Sequence, residues 1–242
     1  MKREINIPML CKFAFKNEQQ LKETLPKYGF KFIEFYDSPS MQAYLCECDE
    51  GKVLVFRASE LDINDWILNF KFWLKDTEIG SVHSGYYDIL DENYDKLSKF
   101  IDDDTLIVGW SQGAGLACIF NKMLRVRNNI DTLYVAIEPP KVSDDVDFND
   151  NGWYTVNGED IVPRLPLLLM GYRHTGVLLY FSKKGKLYIN PRHLLRFLDA
   201  LSDSINKDLL DNLADFIDDH KIEAIEQNWY SNWFKLEKEL CV

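Results

Sequence analysis

The sequence predicts an α/β fold in which a mostly parallel central sheet is flanked by helices. Apolar runs typical of buried strands alternate along the chain with segments of helical periodicity, which favours a parallel sheet. Residues 109–113 supply the second observation, because they read Gly-Trp-Ser-Gln-Gly and follow the G-x-S-x-G pattern. A short β-rich run precedes this motif, and a small, apolar helical segment follows it. Strand, tight turn and helix in that order present a serine hydroxyl for nucleophilic attack.

Turn signals and periodicity predict the elements in order along the chain. Strands are expected at residues 30–35, 43–48, 52–57, 105–108, 132–137, 153–156, 177–181 and 186–189. Helices are expected at residues 17–29, at 85–101, directly after Ser111 and over most of 192–236. Residues 62–75 are rich in aromatic side chains and roughly amphipathic. The sequence shows neither an internal repeat nor a linker, so residues 1–242 are expected to form a single domain.

Charge and composition disfavour several classes of partner. The net charge is −11, so the surface lacks the basic character that binding to nucleic acids or anionic membranes requires. The N-terminal segment lacks the apolar core of a signal peptide, and no apolar run reaches membrane-spanning length. The five cysteines are scattered and match no zinc-binding spacing. We therefore expect free thiols, no metal and a cytoplasmic location, with the oligomeric state left open.

A serine nucleophile needs a base, and the base needs a carboxylate to hold it. In the hydrolase arrangement the chain order is serine, acid, histidine. Asp160 fits the acid, because it lies in a turn after the strand predicted at residues 153–156. Three histidines follow Ser111, namely His174, His193 and His220. These considerations alone leave all three open as the base.

Eight segments, in the same order, resemble the class 3 lipase family, the fungal triacylglycerol lipase type of the α/β-hydrolase superfamily. The resemblance runs from about residue 43 to residue 230. The segments, with the family pattern of each, are 55–59 (apolar-Phe-Arg-Gly-Thr), 65–69 (Asp-Trp-x-x-Asn), 82–86 (Val-His-x-Gly-Phe), 109–115 (Gly-His-Ser-Leu-Gly-Gly-Ala), 138–142 (Gly-x-Pro-Arg-Val), 157–166 (Asn-x-x-Asp-x-Val-Pro-Arg-Leu-Pro), 172–176 (Tyr-x-His-x-Gly) and 219–220 (Asp-His). The resemblance implies an α/β-hydrolase fold.

The same resemblance implies a role for each site residue. Ser111 matches the nucleophile, Asp160 the acid and His220 the base, whereas the other two candidate histidines match no catalytic position. Ser59 takes the place of the threonine that holds the oxyanion, and the backbone N–H of Gln112 is the second donor. The implied activity is that of a serine carboxylic-ester hydrolase, lipase-like, acting on an acyl ester or lipid through an acyl-enzyme intermediate. Its partner is a small-molecule substrate, and no cofactor is needed.

Departures from the family pattern keep a second function open. Ala58 replaces a glycine, Trp110 a histidine, Gln112 a leucine and Ala114 a glycine. Ala58 and Trp110 favour a noncatalytic lipase-fold protein with an interaction or regulatory role. The complete set of serine, aspartate and histidine argues against that alternative. Acyl transfer or phospholipid hydrolysis by the same residues is a third option.

A lid is expected at residues 61–75, which occupy the place of the lid in lipase relatives. Trp66, Phe70 and Trp73 are its aromatic members, and they could face an acyl chain or a lipid surface. The alternative is that these side chains belong to the core, as apolar stripes usually do.

Overall fold

The computed structural model describes residues 5–59, 73–149, 151–158, 160–192, 220–232 and 235–236. Its strands are β1 (Lys31–Ser38), β2 (Met41–Cys48), β3 (Gly51–Phe56), β4 (Leu74–Thr77), β5 (Gly80–His83), β6 (Leu106–Trp110), β7 (Leu133–Ile137), β8 (Gly152–Asn157), β9 (Val177–Phe181) and β10 (Leu187–Ile189). Its α-helices are α1 (Ile7–Phe13), α2 (Glu18–Thr24), α3 (Ser84–Ser98), α4 (Gln112–Asn128) and α5 (Ile222–Ser231).

One large mixed sheet organises the described part of the chain. Its strand order is β1-β2-β3-β6-β7-β8-β9-β10, and β4 and β5 form a separate hairpin. The strands from β3 to β9 in this order pair in parallel, while β1, β2 and β10 pair antiparallel with their neighbours. The predicted α/β fold with a mostly parallel sheet is confirmed.

Helices cover both faces of the sheet, because alternate strand residues point to opposite sides. In β3, Leu54 and Phe56 pack in a cluster with residues of α3 and α4. Val53 and Val55 pack on the other face with residues of α1, α2 and α5. With both faces buried, the parallel strands bring their carboxyl ends to one edge of the sheet. Ligands of open α/β sheets bind at that edge, beyond the carboxyl ends of the strands.

Two short elements differ from the sequence-based expectation. α1 is capped by the Asn6 side chain and has Pro8 in its first turn, yet its seven residues gave no periodic signal. The β4–β5 hairpin includes residues 74 and 75, which end the aromatic-rich segment 62–75. The sequence did not predict this hairpin, because β4 is largely polar and too short to show an alternating pattern. Of the predicted C-terminal helical region, α5 is described, and residues 193–219 lie outside the described residues. No described helix is both long enough and apolar enough to cross a bilayer.

Candidate active site

Ser111 lies in a strained turn between β6 and α4. Its backbone has φ 56° and ψ −122°, a left-handed conformation that non-glycine residues rarely adopt. The turn is held by a 2.8 Å hydrogen bond from the Ser111 N–H to the carbonyl of Ile137. A Cβ on Gly109 would stand 2.2 Å from the carbonyl oxygen of Gly113, and a Cβ on Gly113 would stand 2.5 Å from the carbonyl oxygen of Phe56. Only glycine at both positions permits this turn.

The start of α4 offers a place for an oxyanion. Gln112 is the first residue of the helix, so its N–H has no acceptor within the helix. The close approach of Gly113 to the carbonyls of Phe56 and Arg57 sets this amide beside the end of β3. Ser59 follows in the loop after β3 and is half-buried. The fold thus brings the two segments that carry the expected oxyanion donors against each other.

Asp160 and His220 are joined directly in the structure. Asp160 is completely buried at the turn after β8, and its Oδ2 lies 2.6 Å from His220 Nδ1. Its Oδ1 accepts a 2.9 Å hydrogen bond from the backbone N–H of Val162. Because an ionised carboxylate only accepts, the Nδ1 of His220 is the donor, which leaves Nε2 free to take a proton. This arrangement orients an imidazole base.

Trp110 links His220 to the nucleophile turn. Its indole stacks on the imidazole, with ring centroids 5.4 Å apart and 29° between the planes. The imidazole therefore lies beside the residue that precedes Ser111. Within the described part of the chain, the Ser111 hydroxyl makes no hydrogen bond to His220. Such bonds are commonly long in unliganded enzymes and tighten when substrate binds.

The other histidines make contacts elsewhere or are not described. His174 has its Nε2 2.6 Å from the carbonyl oxygen of Pro163 and stacks on Tyr154. His83 caps the start of α3, and its burial lowers its pKa to about 4. His193 lies outside the described residues. Of the described histidines, only His220 contacts the expected acid.

Sequence analysis missed one acidic residue of the site, Glu138. It follows β7 directly, is completely buried and has a left-handed φ of 51°. Its Oε1 accepts a 3.3 Å hydrogen bond from the Thr155 hydroxyl. Burial, followed by the negative charge of Asp160, raises the pKa of Glu138 well above its usual value. The available signal was a glutamate at the position where the family pattern Gly-x-Pro-Arg-Val begins with glycine.

Glu138, Asp160 and His220 are also the one group among the described residues that could hold a metal ion. Their ligand atoms all lie within 4.8 Å of one another. Two ligands of a tetrahedral zinc ion, with metal bonds near 2.0 Å, would be about 3.3 Å apart. The 2.6 Å separation between His220 Nδ1 and Asp160 Oδ2 is shorter and fits a hydrogen bond between them.

The predicted lid is described only at its end. Trp66 and Phe70 lie outside the described residues, while Trp73 is described and 72% exposed. A second exposed apolar stretch, residues 167–170, follows the Asp160 turn, and Leu169 is 97% exposed within it. A Cβ on Gly171, at the end of this stretch, would stand 3.8 Å from Leu74, next to Trp73. The two exposed apolar segments are therefore neighbours.

Comparisons with known proteins agree with this geometry. The family model described as lipase (class 3) matches residues 53–170. The triacylglyceride lipase of Rhizomucor miehei superposes with a TM-score of 0.63 at 17% identity, covering 76% of this chain and 81% of that one. Lipase II of Rhizopus niveus gives a TM-score of 0.62 at 18% identity over 77% and 83% of the two chains. The mono- and diacylglycerol lipase of Aspergillus oryzae gives 0.63 at 20% identity over 79% and 80%. No curated protein sequence matches the chain.

The superpositions show a shared fold, and the family match adds the activity class. The matched region contains the oxyanion segment, the nucleophile turn and the Asp160 turn, whereas His220 lies beyond it. The resemblance found in the sequence motifs is confirmed: residues 53–170 match the class 3 lipase family, the fold is that of the fungal lipases, and the chain is a serine ester hydrolase.

Proposed function

We propose that the protein hydrolyses acyl esters through an acyl-enzyme intermediate formed on Ser111. One observation carries this proposal, namely the 2.6 Å hydrogen bond between His220 and Asp160 next to the strained turn that holds Ser111. A serine hydroxyl becomes a competent nucleophile only when a base removes its proton. The Trp110 ring stacks on His220, so the base lies beside the nucleophile turn.

The proposed reaction has two steps that use the same groups. Ser111 Oγ attacks the ester carbonyl while His220 Nε2 takes its proton, and His220 then gives that proton to the departing alcohol. Water, activated by His220, hydrolyses the acyl-serine and releases the acid. Asp160 keeps Nδ1 protonated and stabilises the imidazolium that forms in each step.

The backbone N–H of Gln112 and the groups of Ser59 stabilise the oxyanion in this proposal. Gln112 N–H has no helical acceptor, and its position after the nucleophile directs it at the carbonyl under attack. Ser59 supplies a backbone N–H and a hydroxyl. Ala58 restricts the backbone next to Ser59 more than the family glycine would, so we expect a narrower range of substrates than a glycine would permit.

A lipid-like acyl ester is the substrate class that the surface supports. Trp73 and Leu169 are strongly exposed, and their segments are neighbours. Exposed apolar patches of this kind mark sites that contact apolar ligands or lipid surfaces. A lid is proposed for residues 61–75, of which Trp66 and Phe70 lie outside the described residues.

The test is a substrate series measured with the wild type and Ser111→Ala. Soluble p-nitrophenyl esters, emulsified mono- and triacylglycerols and phosphatidylcholine vesicles are compared, with and without an added alcohol as acyl acceptor. We expect hydrolysis of acylglycerols that Ser111→Ala lowers by several orders of magnitude. Preferential cleavage of the phospholipid would contradict the proposed acylglycerol substrate. Acyl transfer to the alcohol in place of hydrolysis would contradict the proposed reaction.

We also propose that the protein acts in the cytoplasm. The described cysteines, Cys11, Cys46, Cys48 and Cys118, are free, as in proteins of reducing compartments. Fractionation of cells that express the full chain should recover it with cytosolic markers. Recovery with secreted or membrane-enclosed material would contradict this location.

A further inference from the structure

Two buried carboxyl groups meet beneath His220. Glu138 and Asp160 follow β7 and β8, which are parallel neighbours in the sheet, and both side chains are completely buried. Their oxygens lie within 4.8 Å of each other and of a ring nitrogen of His220. Burial and the nearby charge of Asp160 together raise the pKa of Glu138 well above its usual value. Two ionised carboxylates this close in a buried site are strongly unfavourable, so one of the two carries a proton.

No cation neutralises the pair within the described part of the chain. The described ion-pair partner of Asp160 is His220, and Glu138 makes no ion pair. Lys141, three residues after Glu138, donates to the carbonyls of Arg164 and Pro166. Two like charges in a dry site without a counter-ion are strongly unfavourable, so one proton is retained.

The hydrogen bonds indicate which carboxyl holds that proton. Asp160 accepts from the Val162 N–H and from His220 Nδ1, so each of its two oxygens already has a donor. Glu138 has a longer bond from the Thr155 hydroxyl, at 3.3 Å. Its second oxygen, Oε2, is buried and has no hydrogen-bond partner among the described residues, so it is the place for the acidic proton.

We propose that Glu138 is a positioning residue that remains protonated, donates a hydrogen bond to Asp160 and thereby fixes the carboxylate on His220. This inference deepens the proposed function and rests on it for its catalytic consequence. The backbone at Glu138 supports this positioning role. A glutamate stands there at φ 51°, a conformation that is strained for residues other than glycine, and the family pattern has glycine at this position.

The added donor has a predictable effect on the base. A carboxylate that accepts three hydrogen bonds is a weaker acceptor toward each donor, so it stabilises the imidazolium less. Removal of the Glu138 proton donor should strengthen the bond between Asp160 and His220 Nδ1. The titratable groups that face Glu138 from the packed elements are Asp160 and His220, so the effect should appear in the pH dependence of turnover.

The direct test is infrared spectroscopy of the wild type and Glu138→Gln at pH 8. Glutamine keeps the size of the side chain and an N–H donor for Asp160, and it does not titrate. The wild type minus variant difference spectrum should contain a carbonyl band of a protonated carboxylic acid that shifts in D2O. A difference spectrum with only carboxylate bands would show that Glu138 is ionised and would overturn the proposal.

The kinetic test adds Glu138→Leu, which has a similar size and no donor. Glu138→Gln should keep kcat within a few-fold, whereas Glu138→Leu should lower kcat by about 10–100-fold with little change in KM, as expected for loss of one charge-assisted hydrogen bond. The acid limb of the kcat/KM profile should move to higher pH in Glu138→Leu alone. Equal kcat and equal pH profiles in all three proteins would overturn the positioning role.

The two tests separate this inference from the proposed function. The infrared band needs no turnover, so it reports on Glu138 even if the substrate class is wrong. If Glu138→Leu does not fold, Glu138→Gly replaces it, because glycine adopts the positive φ without strain. Rates are compared per site labelled by a fluorophosphonate, so that a misfolded fraction does not count as a lower kcat.

Discussion

The nucleophile half and the acid–base half of the site are built in different ways. The nucleophile half is residues 109–113, where a strand end, two glycines and a helix start determine the turn locally. The acid–base half is Glu138, Asp160 and His220, which three separate segments bring together; Asp160 and His220 are 60 positions apart. The first half depends on local backbone geometry, and the second depends on tertiary packing.

The two halves also differ in where they depart from the family pattern. The nucleophile half keeps the G-x-S-x-G residues, and one of its two changed residues, Trp110, stacks its ring on His220. In the acid–base half, Glu138 replaces a glycine and contacts Asp160. These two departures therefore lie beside the histidine and its carboxylate.

The largest expected effect tests which carboxyl orients His220. Asp160→Asn should lower kcat by about 10⁴-fold, because the amide favours the wrong imidazole tautomer. Ester hydrolysis per folded molecule is the measurement, and thermal unfolding serves as the control for folding. A loss of kcat of less than about tenfold would indicate that Glu138, and not Asp160, orients His220.

The next effect is on folding and concerns the local half. Gly113→Ala places a Cβ 2.5 Å from the carbonyl oxygen of Phe56, so we expect a loss of about 1–3 kcal/mol or more in the free energy of unfolding. Gly85→Ala is the matched control, since its nearest neighbour is the His83 side chain at 3.3 Å, which can shift. Denaturant titration compares the two. Equal stability of both variants would contradict the local rigidity of the turn.

A smaller effect is expected where the two halves touch. Trp110→Ala removes the ring that stacks on His220, and we expect kcat to fall by about 3–10-fold, in line with the energy of an aromatic pair. Trp110→Phe keeps a ring and should retain most of the activity. If both variants match the wild type, the stack does not contribute to positioning the base.

The difference between a locally determined turn and a cluster formed by tertiary packing explains which features the sequence could predict. The β6–α4 turn could be read from five residues because its geometry is local, and the parallel sheet followed from the alternation of strands and helices. The choice of His220 over His174 needed the family resemblance, since no local pattern identifies the histidine that packs against Asp160. Glu138 was missed because its role depends on the burial and spacing of β7 and β8, which composition does not reveal.

The smallest effect concerns the exposed apolar surface. Leu169 is 97% exposed, so Leu169→Ser should leave stability unchanged, but it should lower turnover of emulsified long-chain esters by a few-fold and leave soluble short esters unaffected. Val146, which is 56% exposed, provides the control substitution Val146→Ser. Parallel losses on both substrate types would show that residues 167–170 do not contact the lipid.

Covalent labelling of Ser111 by a fluorophosphonate probe shows whether Ser111, Asp160 and His220 form one hydrolytic site. The labelled residue is mapped by mass spectrometry in the wild type and in His220→Ala, His174→Ala and His193→Ala. We expect labelling at Ser111 in the wild type, its loss in His220→Ala, and its retention in the other two variants. Labelling of His220→Ala at the wild-type rate, or its loss in either of the other two variants, would contradict the account.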